Sequence, residues 1–320
     1  MKIGLIVGTL LCCFNSMAFA DFSQRDDVSK WLNEAGDLGY SKAQVLTYLE
    51  QTKAKPSIVP VLRNAPERKL AWSDYQKRLV RDSRIEQGKL FLKQHEAIFA
   101  TVEGNTGVDA PIIAAILGIE SNYGNNMGKH SVIRVLSTMS FDYPRRAEFY
   151  QRQLAEFFRL CFSHGLNPLE VKGSAAGALG MGQFIPTSYR DFAVDGDGDQ
   201  KVDLLTSVDD NIASIANYLA RHRWHKGGPW LLDAKAPSER SWVSKKASRN
   251  GTKWSDWQAR EVALGASSHL DDEFNLYEFS TQGDPEYRLG GANFYAITRY
   301  NHSLWYSRAV IEIAQGIAAP

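Results

Sequence analysis

The segment Ile112–Gly124 constrains this chain more than any other. It reads Ile-Ile-Ala-Ala-Ile-Leu-Gly-Ile-Glu-Ser-Asn-Tyr-Gly, an apolar helix pattern that ends on one carboxylate, Glu120. Asp109-Ala110-Pro111 precedes it and reads as a helix start. Glu120 falls four residues after Ile116, three after Leu117 and eight after Ile112, so at helical spacing it shares a face with core-type side chains. Partial desolvation disfavours the charged form of such a carboxyl, and the negative end of the helix dipole acts in the same direction, so a raised pKa is expected. A carboxylic acid that stays protonated near neutral pH is what cleavage of a glycosidic bond asks of its general acid. The competing reading is a structural Glu that caps or pairs at a helix end, and the neighbouring segments decide between the two.

Residues 1–20 read as an export signal rather than as part of the fold. Lys2 supplies the positive start, Ile3–Leu11 the apolar run, and Ala18-Phe19-Ala20 the cleavage site. The run is too short for a permanent membrane anchor. Cys12 and Cys13 raise lipidation as an alternative, but Leu11 precedes Cys12 and Cys12 precedes Cys13, where a small residue is expected. The expectation is a soluble exported protein without stable membrane insertion. Cys161 is then the single remaining cysteine, so no intrachain disulfide can form. It lies in the amphipathic stretch Ala147–Phe162 beside Leu154, Phe157 and Phe158, a setting for a buried, inert thiol. Loss of Lys2 takes the formal charge from +1 to zero, and no basic run is longer than Lys245-Lys246 or Arg145-Arg146, so no nucleic-acid partner is expected.

About 300 mature residues suffice for a large core and more than one domain. Residues 21–105 read as several helices, Asp27–Ala35, Ser41–Gln51, Ser73–Arg81 and Ser83–Thr101, separated by Pro56, Pro60 and Pro66. Helical patterning resumes over Ala110–Ser121, Ser131–Ser140, Arg145–His164, Pro186–Phe192 and Ser207–Arg223. After Trp224 the periodicity weakens, tryptophans stand among Lys, Ser and Asp, and Phe274–Ser280 reads as a strand. Helical pattern returns at Asn293–Thr298 and Ser303–Ala318. The expected fold is mainly α (α+β), divided into an N-terminal helical region 21–105, a catalytic core 106–225, an inserted mixed lobe 226–285 and a return to the core over 286–320.

Four segments accompany Glu120. Lys172–Pro186 is glycine-rich, with Ser174 and Gln183 as its hydrogen-bonding side chains; it suits close approach of backbone to a sugar and equally suits tight packing of helices. Tyr143-Pro144-Arg145-Arg146 sets two arginines at a helix start, against the dipole, which suggests pairing with carboxylates of a ligand or a solvated pair with a bridge to Glu148. Tyr295–Tyr306 interleaves aromatic rings with Asn301 and His302, a pattern for the two faces of a pyranose or for a core stripe. Asp195, Asp197, Asp199 and Asp203, with the backbone carbonyl of Lys201, occupy ligand positions of an EF-hand-like loop. Gln200 replaces its turn glycine, Thr206 replaces its bidentate Glu, and Asp209 or Asp210 stands where a longer loop would close the shell.

Gly118-Ile119-Glu120-Ser121-Asn122-Tyr123-Gly124, Tyr143–Ala147, Gly173-Ser174 with Gly182–Pro186, and Thr298-Arg299-Tyr300-Asn301 occur in that order. With these motifs the chain resembles the lytic murein transglycosylase B family, from about residue 25 to the C-terminus. The resemblance implies a lysozyme-like catalytic core and cleavage of the MurNAc–GlcNAc β-1,4 bond of peptidoglycan without water. Glu120 would act first as acid and then as base, closing a 1,6-anhydromuramic ring. By the same matching Ser174, Gln183, Tyr218, Tyr300 and Asn301 would line the glycan cleft, and Arg145 and Arg146 would meet the peptide stem. The acidic loop, Asp195, Asp197, Asp199, Lys201, Asp203 and Asp210, would hold a structural calcium, with no cofactor needed for the chemistry. The partners implied are murein glycan strands and other cell-wall enzymes. A hydrolytic muramidase is the first alternative and a non-catalytic peptidoglycan-binding protein the second.

Overall fold

A computed structural model describes residues 21–63, 70–264 and 272–320; the expected export signal, with Cys12 and Cys13, and also Pro66 lie outside the described residues. The N-terminal part supplies α1 (Asp26–Glu34), α2 (Lys42–Glu50), α3 (Ile58–Arg63), α4 (Trp72–Leu79), α5 (Asp82–Gln94) and α6 (Glu96–Thr106). Ser41 opens α2 through a reciprocal capping box with Gln44. Two elements depart from the sequence pattern. Pro60 does not separate helices but sits in the first turn of α3, where a missing N–H leaves no helical bond unmade. One continuous helix was expected over Ser83–Thr101, yet the backbone breaks at His95 (φ −114°, ψ 26°) and α6 starts in a new direction.

At the centre stands α7 (Ala110–Ser121), in which every residue from Ile112 to Gly118 is buried. It packs against α5 and α6, and against α11 (Val208–Arg221) and α14 (Leu304–Ala318). Gly118 is needed here, because a Cβ would come within 2.5 Å of the Tyr123 hydroxyl. Around this centre lie α8 (Val132–Phe141), α9 (Ala147–Ser163) and α10 (Pro186–Phe192), with a short antiparallel ladder between β1 (His130–Ser131) and β2 (Lys172–Gly173). Cys161 on α9 is fully buried, and desolvation pushes its thiol up to about 12, which accounts for an inert sulfur. Phe22, Val28, Val45 and Phe99 share one hydrophobic core with Ile116 and Val310, so residues 21–105 pack as part of the main body.

Beyond Trp224 the chain forms β3 (Leu231–Ala234), β4 (Thr252–Lys253), α12 (Trp254–Ala259), β5 (Glu273–Phe279) and β6 (Glu286–Gly290) before returning through α13 (Ala292–Tyr300) to α14. The strands pair antiparallel in the order β3-β6-β5-β4. Because side chains alternate across a strand, Phe274 and Leu276 face a small core with Trp254, Trp257 and Leu289, whereas Tyr277 and Phe279 face the main body. Since β6 pairs with both β3 and β5, the sheet reaches Gly290, and the boundary expected at 285/286 shifts to the end of that strand. The weak alternation of Glu286–Gly290 in isolation hid a strand whose place is fixed by its two neighbours.

A buried arginine locks this sheet to the helices. Arg308 on α14, only 3% exposed, donates from Nη2 to Glu286 Oε2 at 2.5 Å and from Nε to Glu312 Oε1 at 2.8 Å. Its guanidinium lies 4.3 Å from the ring centroid of Trp72 and 4.7 Å from that of Phe279. Gln76 donates to the other oxygen of Glu312 at 2.6 Å, and the backbone N–H of Trp72 donates to Ser280 O at 2.7 Å. One side chain thereby ties α4, α14 and the sheet together. Among the described residues no single helix is long and apolar enough to cross a membrane.

Candidate active site

Glu120 is the penultimate residue of α7, and the chain leaves it through three consecutive left-handed residues, Asn122 (φ 52°), Tyr123 (φ 56°) and Gly124 (φ 86°). Two of these are not glycine, so the exit is strained and depends on its contacts. Tyr123 is one such contact: its ring is buried and its hydroxyl donates to Arg84 O at 2.8 Å. The turn holds the end of α7 open toward α13 and α14.

From α14 the Tyr306 hydroxyl donates to Glu120 Oε1 at 2.6 Å. Desolvation, followed by the Glu120 charge, raises the Tyr306 phenol well above its ordinary value. Desolvation and then Glu120 do the same to Tyr300 at the end of α13. Both phenols therefore stay neutral at any working pH, and Tyr306 remains a proton donor in its hydrogen bond to the carboxyl. Tyr300 donates its own proton to Gly182 O, which anchors the glycine-rich segment to α13. Its ring meets Tyr218 at 4.9 Å and Phe184 at 5.8 Å, both edge-on. Tyr218 directs its hydroxyl to Arg299 O at 2.6 Å and stacks on His222 at 4.2 Å; burial pushes its phenol up to about 12. What it presents is a ring, with its proton already engaged.

The other expected site residues divide into those joined to this cluster and those that are not. Gln183 takes a left-handed backbone (φ 52°) and uses both amide protons inside the protein, on Met127 O at 3.1 Å and Gly180 O at 2.8 Å. Its carbonyl oxygen is the group that can serve a ligand. Ser174 accepts the N–H groups of Ala176 (3.2 Å) and Ala178 (3.1 Å), so the hydroxyl holds the turn of its own loop. The glycines beside it are occupied by protein: a Cβ on Gly173 would lie 2.2 Å from Ala178 O. Asn301 is exposed just after Tyr300 and accepts the Ser303 N–H at 3.2 Å, which leaves its amide protons outward. Arg145 and Arg146 are exposed in a 3-10 turn before α9, and Arg146 lies 4.2 Å over the Phe149 ring. Neither arginine forms an ion pair or hydrogen bond with the Glu120 cluster among the described residues, and neither bridges to Glu148.

Tyr306, which holds Glu120, was not singled out by sequence reasoning. Its only signal was membership of the aromatic stretch Tyr295–Tyr306. Tyr75 on α4 escaped as well; its ring meets Trp305 at 5.8 Å and it contributes to the raised Tyr306 phenol.

In the acidic loop the carboxylates of Asp195, Asp197 and Asp210 converge, with ligand oxygens within 4.8 Å of one another. Asp210 is buried and accepts the N–H groups of Gly196 (2.7 Å) and Asp203 (2.5 Å), which fixes it as the inner wall. Three hard oxygen donors at that spacing fit calcium. Asp199 and Asp203 are not in this group: Asp199 accepts the Lys201 N–H at 2.8 Å, and Asp203 accepts Leu205 N–H at 2.8 Å and Thr206 N–H at 3.1 Å. They cap turns, a use of Asp that spacing alone does not distinguish from ligation. Gln200 adopts φ 68°, the conformation the absent glycine would take without strain, and its N–H reaches Asp195 Oδ2 at 2.8 Å.

Comparison with known proteins places this geometry among relatives. The family model described as transglycosylase SLT domain matches residues 23–315. Membrane-bound lytic murein transglycosylase B of Escherichia coli (strain K12) is 32% identical over 312 residues, which cover 93% of this chain and 84% of that protein. The crystal structure of soluble lytic transglycosylase SltB1 from Pseudomonas aeruginosa superposes with a TM-score of 0.84 at 34% identity, covering 91% of this chain and 98% of that one. Lytic transglycosylase Slt35 of Escherichia coli, solved in complex with calcium, gives a TM-score of 0.83 at 31% identity over 93% of this chain and 95% of its own.

Proposed function

The chain belongs to the lytic murein transglycosylase B family of enzymes, which cleave peptidoglycan without water, and from that premise we propose that Glu120 alone carries both proton transfers. The supporting observation is that Glu120 is held by a phenol: Tyr306 donates to it at 2.6 Å and neutral Tyr300 stands near enough to feel its charge. In the proposed sequence the Glu120 carboxyl donates its proton to the glycosidic oxygen between MurNAc and GlcNAc as the C1–O bond breaks. The substrate's own acetamido oxygen closes on C1 from the other face. The Glu120 carboxylate then removes the proton of the C6 hydroxyl, whose oxygen displaces the acetamide and closes the 1,6-anhydro ring. The proton returns to Glu120 and no water is consumed. The Gln183 carbonyl, the Asn301 amide, the Ser174 hydroxyl and the rings of Tyr300 and Tyr218 orient the sugars, and Arg145 and Arg146 meet stem-peptide carboxylates. Residues 1–20 direct the enzyme to the periplasm, where its polymer lies.

Mass spectrometry of products released from purified sacculi tests the reaction. Anhydro ends, lighter by one water than hydrolysed ends, are expected. Products that carry the extra water would make the chain a muramidase, and release of no product by folded protein would leave a binding protein.

The loop around Asp195, Asp197 and Asp210 is proposed to hold calcium as a structural ion, in line with the calcium complex of Slt35. It takes no part in the proton transfers, so its effect enters through folding free energy. Calcium at about ten times its dissociation constant should stabilise by about 1.4 kcal/mol. For a chain of this size that corresponds to a rise in Tm of about 2 °C, reversed by chelation, with turnover at low temperature retained. A melting curve indifferent to calcium would reduce the loop to an acidic turn.

A further inference from the structure

Asn211 lies near the start of α11, one residue after Asp210, and successive helix positions point about 100° apart, so the two side chains serve different neighbours. Asp210 forms the inner wall of the acidic loop, whereas Asn211 turns to the glycine-rich segment. Asn211 is completely buried, where polar atoms need partners, and its amide has them. Its Oδ1 accepts the Gly182 N–H at 3.0 Å, and its Nδ2 donates to Leu204 O at 2.9 Å and to Ser207 O at 2.7 Å. Only one orientation of the amide satisfies one donor and two carbonyls, so the side chain is fixed as well as buried. The backbone it holds is crowded on every side. A Cβ on Gly182 would stand 2.9 Å from the Phe184 ring and 3.0 Å from the Tyr300 hydroxyl, and one on Gly180 would stand 2.1 Å from Leu204 O.

Gly182 is thereby gripped from both ends. Asn211 takes its N–H, and Tyr300 donates to its carbonyl oxygen. The two bonds fix the peptide planes before and after Gly182, and with them the path of the backbone into Gln183, which takes the left-handed φ of 52°. A non-glycine residue persists in that region only where its surroundings over-determine it. An antiparallel bridge between Leu179 and Phe184 closes the segment at its base, so the grip on Gly182 acts at its tip. What the site asks of this segment depends on that tip: Gln183 has to aim its carbonyl oxygen, and Tyr300 has to keep its ring within reach of the Glu120 charge. We propose that Asn211 is a positioning residue for the cleavage, which sets Gln183 and Tyr300 by holding the Gly182 N–H. Being completely buried, it touches no substrate itself.

This inference rests on the reading that Gln183 and Tyr300 orient the sugars, and the test separates the two. The kcat and KM of each variant are measured on soluble glycan strands, well below its melting temperature, and its stability is measured in urea. Asn211→Ala should lower kcat about tenfold and leave KM within about twofold, because displaced orienting groups cost more in the transition state than in binding. Asn211→Asp keeps an oxygen for the Gly182 N–H, so it should retain most of the wild-type kcat even where it loses as much stability as Asn211→Ala. Tyr300→Phe releases the same glycine from its other end, so adding it to Asn211→Ala should cost little beyond the worse single change. Ser214→Ala is the control: Ser214 is buried on the same helix but holds the Val194 N–H at 2.9 Å, so its loss should lower stability and leave kcat unchanged. A kcat that follows stability across the Asn211 and Ser214 variants, or losses that multiply in the double variant, would overturn the positioning role. Losses in Gln183→Ala and Tyr300→Phe with none in Asn211→Ala would overturn that role alone, whereas full activity in all three would overturn the orienting role of Gln183 and Tyr300 as well.

Discussion

Glu120→Gln is expected to lower turnover of peptidoglycan by about a thousandfold or more. The amide keeps the shape of the side chain and can still accept the Tyr306 hydroxyl through its oxygen, so the surroundings at 2.6 Å need not move. What it lacks is a proton to give to the leaving oxygen and a charge with which to take one back. Both halves of the proposed sequence fail together, and the phenols of Tyr306 and Tyr300, raised well above their ordinary value, cannot take over the second transfer. Glycan binding and the circular dichroism spectrum should match wild type. Turnover within tenfold of wild type in pure, folded protein would remove Glu120 from the role of acid.

Arg308→Met should cost about 3 kcal/mol of stability. Methionine fills the space beside Trp72 and Phe279, so packing is largely conserved. The loss comes from Glu312, which keeps Gln76 but loses its arginine, and from Glu286, which retains Arg288 at 2.9 Å. Because Glu286 is 40% exposed, water can take over part of its solvation, which holds the effect near the lower end of the range for a broken buried pair. Arg308→Lys keeps the charge but cannot reach both carboxylates with a planar fork, so an intermediate loss is expected. Urea unfolding would measure both; a loss below about 1 kcal/mol for Arg308→Met would mean that the network is solvated and contributes little.

Features that depend on short-range periodicity were legible in the sequence. The apolar run before Glu120 forms a central helix because burial at every position from Ile112 to Gly118 leaves it no surface face, and Pro111 lies at its first turn as its fixed φ requires. Phe274–Ser280 read as a strand, and the strand that forms, Glu273–Phe279, turns its two faces to two different cores. The break at His95 was not legible, since the apolar spacing continues across it and only tertiary packing bends the chain. The glycine-rich segment showed where the backbone is crowded but not by what; its partner at Gly173 is the carbonyl of Ala178, not a ligand. Likewise the aspartate spacing marked a tight acidic loop but could not tell which carboxylates converge, because Asp195, Asp197 and Asp210 accept backbone N–H groups just as Asp199 and Asp203 do. Tyr306 was hidden for another reason: no local pattern announces a partner that lies on a remote helix.

The hydrogen bond between Glu120 and Tyr306 spans 186 positions of sequence. In a chain that emerges amino end first, α7 can be buried against α5 and α6 before α14 has been delivered. At that stage the acid is in place but the phenol is not. Until that helix docks, Glu120 lacks the hydroxyl that holds it. Its competence arrives as a single late event, when a distant helix docks, and recovery of turnover during refolding should trail recovery of helical structure because the closing contact has so long a loop to draw in.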